Sequence, residues 1–131
     1  MTPTKRALKT PDIANPEPNY AKLCIPFVAA TTVLEGTVDV RHFQRPWLDN
    51  PAVHDLAARV ECVQDDNPDQ NVVAPQRLEM TLKDGRHFVI DMPEVFGHPA
   101  NPLSRDQNID KFRRTWQLGA RYWPPGGMAR I

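Results

Sequence analysis

The sequence lacks several features that define large classes of protein. Its 131 residues include only two cysteines, Cys24 and Cys62, and both lie in apolar patterns, which favours a reducing compartment over a disulfide framework. No apolar run approaches the length of a membrane span, and the N-terminus lacks the apolar core of a secretory signal. We therefore predict a cytoplasmic protein with no membrane partner.

An excess of charge of one sign is also missing. Sixteen basic and sixteen acidic residues give a formal net charge of zero, so no long-range field draws the chain to nucleic acid. The segment Lys111–Trp123 mixes basic and aromatic residues, as single-strand binders do. In a neutral chain it is better interpreted as a helix with one charged face followed by a tail. Nucleic-acid binding is therefore the weakest alternative, and no nucleic-acid partner is predicted.

Catalytic and cofactor motifs are absent as well. The chain has no G-x-S-x-G, phosphate loop, dinucleotide fingerprint or C-x-x-C pair. Four histidines are present: His42, His54, His87 and His98. Their spacing fits no known zinc site, and the acidic run 65–71 lacks the glycine and glutamate of a calcium loop. The sequence therefore predicts neither a metal nor a cofactor.

Proline, in contrast, is plentiful and clusters near both ends of the chain. Four of the 14 prolines lie in the first twenty residues, and Pro124 and Pro125 precede two glycines near the C-terminus. This composition predicts a disordered N-terminal tail over residues 1–19 and a flexible C-terminal tail over residues 119–131. One folded domain is expected between them, over residues 20–118.

The clearest structural pattern is a β-hairpin over residues 77–92. Apolar and polar residues alternate along both halves of this segment, which predicts two strands with one buried face. A two-residue loop would put the two apolar sets on opposite faces. The three-residue loop Lys83–Gly85 instead pairs Met80 with Phe88. We therefore predict a type I turn closed by a left-handed Gly85.

An unusually apolar helix is predicted before the hairpin. Residues 21–35 are apolar on nearly every side, Gly36 supplies a C-terminal stop, and Pro26 is tolerated if the helix begins at about Ile25. In a chain of this length such a helix is hard to cover completely. We therefore expect a further domain or partner to pack against it.

Shorter signals complete the predicted fold. Asn50 followed by Pro51 starts a two-turn helix, and residues 60–64 form a third strand. Ser104 with Gln107 forms a capping box for the last helix. The sum is an α+β fold: a small antiparallel sheet of about three strands or more, with helices packed on one face.

One loop residue stands out as a candidate for function. His98 follows Gly97 in an irregular Gly/Pro loop at the end of the hairpin, where functional side chains are often displayed. The residues alone are also compatible with a surface histidine that has no function.

Six short motifs follow one another in a distinctive order along the predicted domain. They are A-K-L-C-I-P-F-V-A-A, L-E-G, D-N-P-A-V-H-D-L-A-A-R-V, L-K-D-G-R, G-H-P-A-N-P-L-S and D-K-F-R. In this order and spacing they resemble the small C-terminal domain of the MmgE/PrpD family. The resemblance covers Tyr20 to about Leu118, and the tails show none.

The resemblance implies a function that the residues alone do not. The family includes 2-methylcitrate dehydratases, cis-aconitate decarboxylases and an iminodisuccinate epimerase, which are cofactor-free, typically dimeric lyases or isomerases of small di- and tricarboxylic acids. Their large helical domain carries most catalytic residues, and the small α+β domain closes one side of the cleft. By resemblance this chain forms one wall of such a cleft and is inactive without that domain, its implied partner.

Three residues are implied to lie near the substrate: Phe27, Gly97 and His98. Several family members have a tyrosine at the position of Phe27, whose ring is kept here without the hydroxyl. Many members have a glycine followed by a polar residue where Gly97 and His98 stand. The alternative function is a stand-alone, non-catalytic module that self-associates through the surface that meets the large domain in the enzymes.

Overall fold

The computed structural model describes residues 7–8, 17–64, 66–68 and 73–119. The chain forms two compact units, Met1–Asp66 and Asn67–Ile131, hereafter the N-terminal and C-terminal units. The boundary falls inside the range 20–118 that the sequence predicts as one domain. The helices are α1 (Pro18–Leu23), α2 (Ile25–Glu35), α3 (Pro51–Ala57) and α4 (Arg105–Gly119). The strands are β1 (Ala7–Leu8), β2 (Cys62–Val63), β3 (Gln76–Thr81) and β4 (His87–Met92).

Helix α2 organises the N-terminal unit. It begins at Ile25, where the proline pattern predicts, and ends at a left-handed Gly36 with φ of 70°. The extended backbone of Cys24 separates it from α1. Two 3-10 turns, Val40–Phe43 and Trp47–Asp49, lead from α2 to α3.

The core of this unit lies between α2 and α3. Its buried apolar residues are Ala21, Cys24, Phe27, Ala30, Leu48, Val53 and Ala57. Trp47 packs against them and donates its Nε1–H to Thr31 Oγ1 at 3.2 Å. The predicted start of α3 is confirmed, because Asn50 Oδ1 accepts the Ala52 N–H at 3.0 Å.

A short strand pair lies in the same unit. Strands β1 and β2 are antiparallel, with Ala7 opposite Val63 and Leu8 opposite Cys62. The third strand predicted over residues 60–64 therefore exists, but it pairs with β1 and not with the hairpin. Ala7 and Leu8 belong to the stretch predicted as a disordered tail. Most of the remaining residues of that stretch lie outside the described part of the chain.

The predicted hairpin is confirmed in the C-terminal unit. Met80 lies opposite Phe88 and Leu78 opposite Ile90. The Gly85 N–H donates to the Leu82 carbonyl at 3.0 Å, and Gly85 has φ of 87°. The three-residue loop deduced from strand parity is therefore present.

The prediction that one hairpin face is buried is wrong within this chain. Leu78, Phe88 and Ile90 share the apolar face and are 50%, 42% and 59% exposed. The opposite face carries ion pairs from Arg77 to Glu79 and Asp91. Sequence alternation correctly separates an apolar from a charged face, but it does not say whether this chain supplies the cover.

Helix α4 begins with the predicted capping box. The Ser104 N–H donates to Gln107 Oε1 at 2.8 Å, and the Gln107 N–H donates to Ser104 Oγ at 3.1 Å. The described residues form four α-helices and small antiparallel strand pairs, which confirms the α+β class. The predicted packing of helices on one face of the sheet stays a prediction. The C-terminal tail beyond Gly119 lies outside the described residues.

Candidate functional site

The loop after β4 holds the candidate site and is closed by its own hydrogen bonds. The Gly97 N–H donates to the Asn101 carbonyl at 3.0 Å, and the Asn101 N–H donates to the His98 carbonyl at 2.8 Å. The Asn101 side-chain amide donates to the Glu94 carbonyl at 2.9 Å. Gly97 has φ of 92°, a conformation that favours glycine. The loop is therefore held in one shape by local contacts.

The imidazole of His98 is tied to this loop by one of its two nitrogens. The Ala100 N–H donates to His98 Nδ1 at 3.2 Å, so the proton of the neutral ring lies on Nε2. Glu94 Oε2 lies 3.4 Å from the same Nδ1 and forms an ion pair only when the ring is protonated. The His98 side chain is 45% exposed. The ring is thus oriented and accessible.

The second predicted site residue has a different environment. Phe27 is fully buried in the N-terminal unit, with the rings of Phe43 and His54 each centred 6.2 Å from its own. The prediction that Phe27 lies near a substrate therefore stays a prediction. In this chain its ring has a packing role.

A shallow groove borders helix α4 in the C-terminal unit. Its volume is about 470 Å³, and Phe96 and Leu103, which bracket the Gly97–His98 loop in sequence, contribute apolar lining. Its polar lining comes from Gln107, Asp110, Lys111, Arg113, Arg114 and Gln117. Asp110 lies 3.5 Å from Arg113 and offsets part of the positive charge. The sequence places these basic residues on one helix but does not reveal the groove.

A charged cluster in the N-terminal unit is structural. The Asp39 N–H donates to the buried His42 Nδ1 at 2.9 Å, and Asp39 Oδ1 accepts the Arg41 N–H at 2.9 Å, which caps the first 3-10 turn. Hydrogen bonds from the Arg41 side chain lower the pKa of Asp39 to about 2. Asp39 is thus engaged by Arg41 and His42, and His42 Nε2 lies 4.0 Å from Glu35 Oε2 on the neighbouring helix, so we assign this cluster a capping role.

The cysteines do not form a reactive pair. Cys24 and Cys62 are both free, and Cys24 is buried. Burial, reinforced by the nearby Cys24, raises the pKa of the Cys62 thiol, which disfavours the nucleophilic thiolate. Within the described residues, no group of three or more His, Cys, Asp or Glu side chains is placed to hold a metal ion. No helix in the same residues is long and apolar enough to cross a membrane.

A family sequence model defines the class of protein. The chain matches the sequence model of the MmgE/PrpD C-terminal domain over residues 5–120, and it belongs to that family. The match begins before Tyr20 and includes strand β1.

Two enzymes are similar in sequence to part of this chain. Cis-aconitate decarboxylase of Mus musculus is 31% identical over 88 residues, and that of Homo sapiens is 32% identical over 89 residues. Each alignment covers 66% of this chain and 18% of the relative. The chain therefore matches less than a fifth of the length of these enzymes. No solved structure matches it.

Sequence reasoning located the loop but missed the residues that shape it. Gly97 and His98 were predicted from composition and resemblance, whereas Glu94 and Asn101 were not. Asn101 precedes a proline and could have been suspected as a turn residue. Its hydrogen bonds to Gly97, His98 and Glu94 depend on the backbone conformation of the loop, which the sequence pattern does not predict. The structure assigns Phe27 and His98 to different units.

Proposed function

We propose that this chain is the small domain of a lyase or isomerase of small di- or tricarboxylic acids and forms one wall of the active-site cleft. The observation that carries the proposal is the family match over residues 5–120, together with the two cis-aconitate decarboxylases among its relatives. Members of this class act by proton transfer next to a carboxylate, which needs a positioned base and cations.

The chain alone is proposed to be inactive, because the candidate loop does not by itself supply that machinery. Among the residues that the structure describes, the titratable group that contacts His98 is Glu94, whose Oε2 lies 3.4 Å from Nδ1. We infer that the base and most substrate-binding cations come from a large helical domain. A cytoplasmic location and a homodimeric complete enzyme belong to the same proposal.

One exposed apolar surface of α2 favours the presence of such a partner domain. Ile25, Ala29 and Val33 are spaced four residues apart and form an outward stripe on the helix. Ile25 is 65% exposed and Val33 is 56% exposed. Leu23, just before the helix, is 86% exposed. Since apolar surfaces of this kind usually meet protein, we assign the stripe as the contact with the large domain.

The test is complementation. The purified chain is assayed with cis-aconitate and 2-methylcitrate, alone and mixed with a separately expressed large domain of a family member. We expect no turnover from the chain alone and measurable turnover from the mixture. Turnover by the isolated chain would contradict the proposed division of roles.

Two matched variants locate the contact. Val33→Glu adds a charge to the α2 stripe, whereas Val89→Glu adds the same charge to a valine that is 42% exposed on the charged face of the hairpin. We expect only Val33→Glu to abolish complementation. Equal loss in both variants would show that the stripe is not the contact.

The second candidate function is a stand-alone interaction module. The exposed apolar face of the hairpin, with Leu78, Phe88 and Ile90, favours it, because an isolated two-stranded hairpin is marginally stable without cover. Sedimentation of the isolated chain separates the candidates. Self-association that Phe88→Ser abolishes supports the module, whereas a monomer at all concentrations counts against it.

A further inference from the structure

We propose that His98 binds a carboxylate oxygen of the small acid as a fixed hydrogen-bond donor, through its Nε2–H, and does not act as the base that removes a proton. The identity of the ligand rests on the proposed function. The donor role rests on the geometry of the loop from Glu94 to Asn101.

The hydrogen on Nε2 follows from the contact at the other nitrogen. Nδ1 accepts the Ala100 N–H at 3.2 Å, and an acceptor nitrogen of a neutral imidazole cannot carry the proton. Protonation of the ring places a hydrogen on both nitrogens and allows Nδ1–H to turn to Glu94 Oε2, 3.4 Å away. Nε2 therefore carries a hydrogen in either state. A base that uses this ring would have to break the bond to Ala100 first.

The backbone N–H groups from Gly97 to Asn101 are already engaged within the loop. The N–H groups of Gly97, His98 and Asn101 donate to carbonyls within the loop, and that of Ala100 donates to the ring. Pro99 has no N–H. A carboxylate that approaches the loop backbone would have to open one of these bonds, whereas Nε2–H is available at no such cost.

The closed loop also distinguishes His98 from an ordinary surface histidine. A ring held by a side-chain-to-backbone bond loses less conformational freedom on binding than a free one. His87 is the natural comparison, since it is about as exposed, at 49%. Its Nδ1 faces the Thr81 hydroxyl at 2.9 Å, which can donate or accept, and its Nε2 lies 3.9 Å from Glu79 Oε2, so no backbone N–H ties its ring as Ala100 ties that of His98.

The first test reads the tautomer in the unmodified chain. Nitrogen-15 NMR of the histidine side chains at neutral pH should show His98 as the Nε2–H form. A dominant Nδ1–H form overturns the proposal. This measurement needs no variant and no large domain.

The second test uses cis-aconitate as the probe. The isolated chain is titrated with it at constant ionic strength, with sodium chloride as the compensating salt, and the His98 and His87 resonances are followed. We expect a saturable shift at His98 and little change at His87. An unresponsive His98, or equal responses at both rings, overturns the proposal, because screened surface charge acts on both alike.

Two substitutions separate a donor from a base. His98→Gln keeps an N–H donor near the position of Nε2 and removes the basic ring, whereas His98→Ala removes both. We expect the glutamine variant to bind cis-aconitate within a few-fold of the parent and the alanine variant to bind about tenfold more weakly. Equal loss in both, with unchanged thermal unfolding, overturns the donor role. Carboxylate binding without complementation would refute only the proposed enzyme function.

Discussion

Replacement of Phe27 by tyrosine adds one hydroxyl group at the centre of the N-terminal unit. Phe27 has no exposed surface, and the rings of Phe43 and His54 flank it. The new hydroxyl therefore has no water to bond. We expect Phe27→Tyr to lower the free energy of unfolding.

The magnitude follows from the surroundings. A buried hydroxyl without a partner costs about 1–3 kcal/mol, and the extra atom crowds a packed core. A hydrogen bond from the new hydroxyl to His54 would keep the loss in unfolding free energy at the lower end of this range. The Nε2 of His54 lies 2.7 Å from the Leu48 carbonyl, which accepts that hydrogen, so its Nδ1 is left as an acceptor that could bond a hydroxyl within reach. We therefore expect a loss of about 1–3 kcal/mol, a large part of the stability of a small domain.

Urea unfolding combined with hydrogen exchange of the α2 amides measures the loss in the unit that contains the substitution. Phe112→Tyr is the matched control. Phe112 is 44% exposed on α4, so its hydroxyl can reach water, and a change within about 0.5 kcal/mol is expected.

Equal stability of Phe27→Tyr and the parent chain would refute the reasoning. The para position of Phe27 would then have access to solvent or to a polar group, as the family tyrosine is expected to have at a substrate cleft. A loss confined to Phe27→Tyr would support a packing role for the Phe27 ring in this chain. The experiment thus bears on stability and on the predicted site.

Three further predictions concern local structure. Asp39, whose pKa is lowered from 3.8 to about 2 by Arg41, stabilises the fold above its ordinary pKa and loses that effect as the pH falls toward 2. Unfolding measured between about pH 4 and pH 2 should therefore show a loss of about 1–2 kcal/mol that Asp39→Asn lacks, with Asp84→Asn as the exposed control. Asn50→Ala should cost about 1 kcal/mol in urea unfolding by removing the α3 cap, whereas Asn50→Asp should be nearly neutral. Gly85→Ala meets no neighbouring atom but is held at a φ of 87°, so it should lose about 1–2 kcal/mol, and no loss would contradict the left-handed turn.

The hairpin and the helix ends could be predicted because their signals are local. The side-chain period of a strand excludes a two-residue loop, which would put Met80 and Phe88 on opposite faces, and the structure has the register of the three-residue loop. Capping by Asn50 and by Ser104 likewise needs only a side chain and the backbone of the next turn. No knowledge of the remaining fold is required.

The strand pairing and the burial could not be predicted because they depend on distant residues. Strand β2 pairs with Ala7 and Leu8, more than fifty residues earlier, in a proline-rich segment whose composition is typical of a tail. The apolar face of the hairpin is a correct local pattern, but the exposure of Leu78, Phe88 and Ile90 depends on residues distant in sequence. Alternation alone gives no means to distinguish a face covered by the same chain from one covered by a partner.

The candidate site divides in the same way. The loop around Gly97 could be found from composition, because glycine and flanking prolines end both strand and helix. The chemistry of His98 could not, since it depends on which backbone N–H meets Nδ1, and that follows from the contacts that Asn101 makes to both ends of the loop. Residue type nominates an acid, a base or a donor. For a histidine, the hydrogen-bond partner of one ring nitrogen determines whether the other nitrogen is a donor or an acceptor. In His98 the Ala100 N–H occupies Nδ1, which favours Nε2 as a donor.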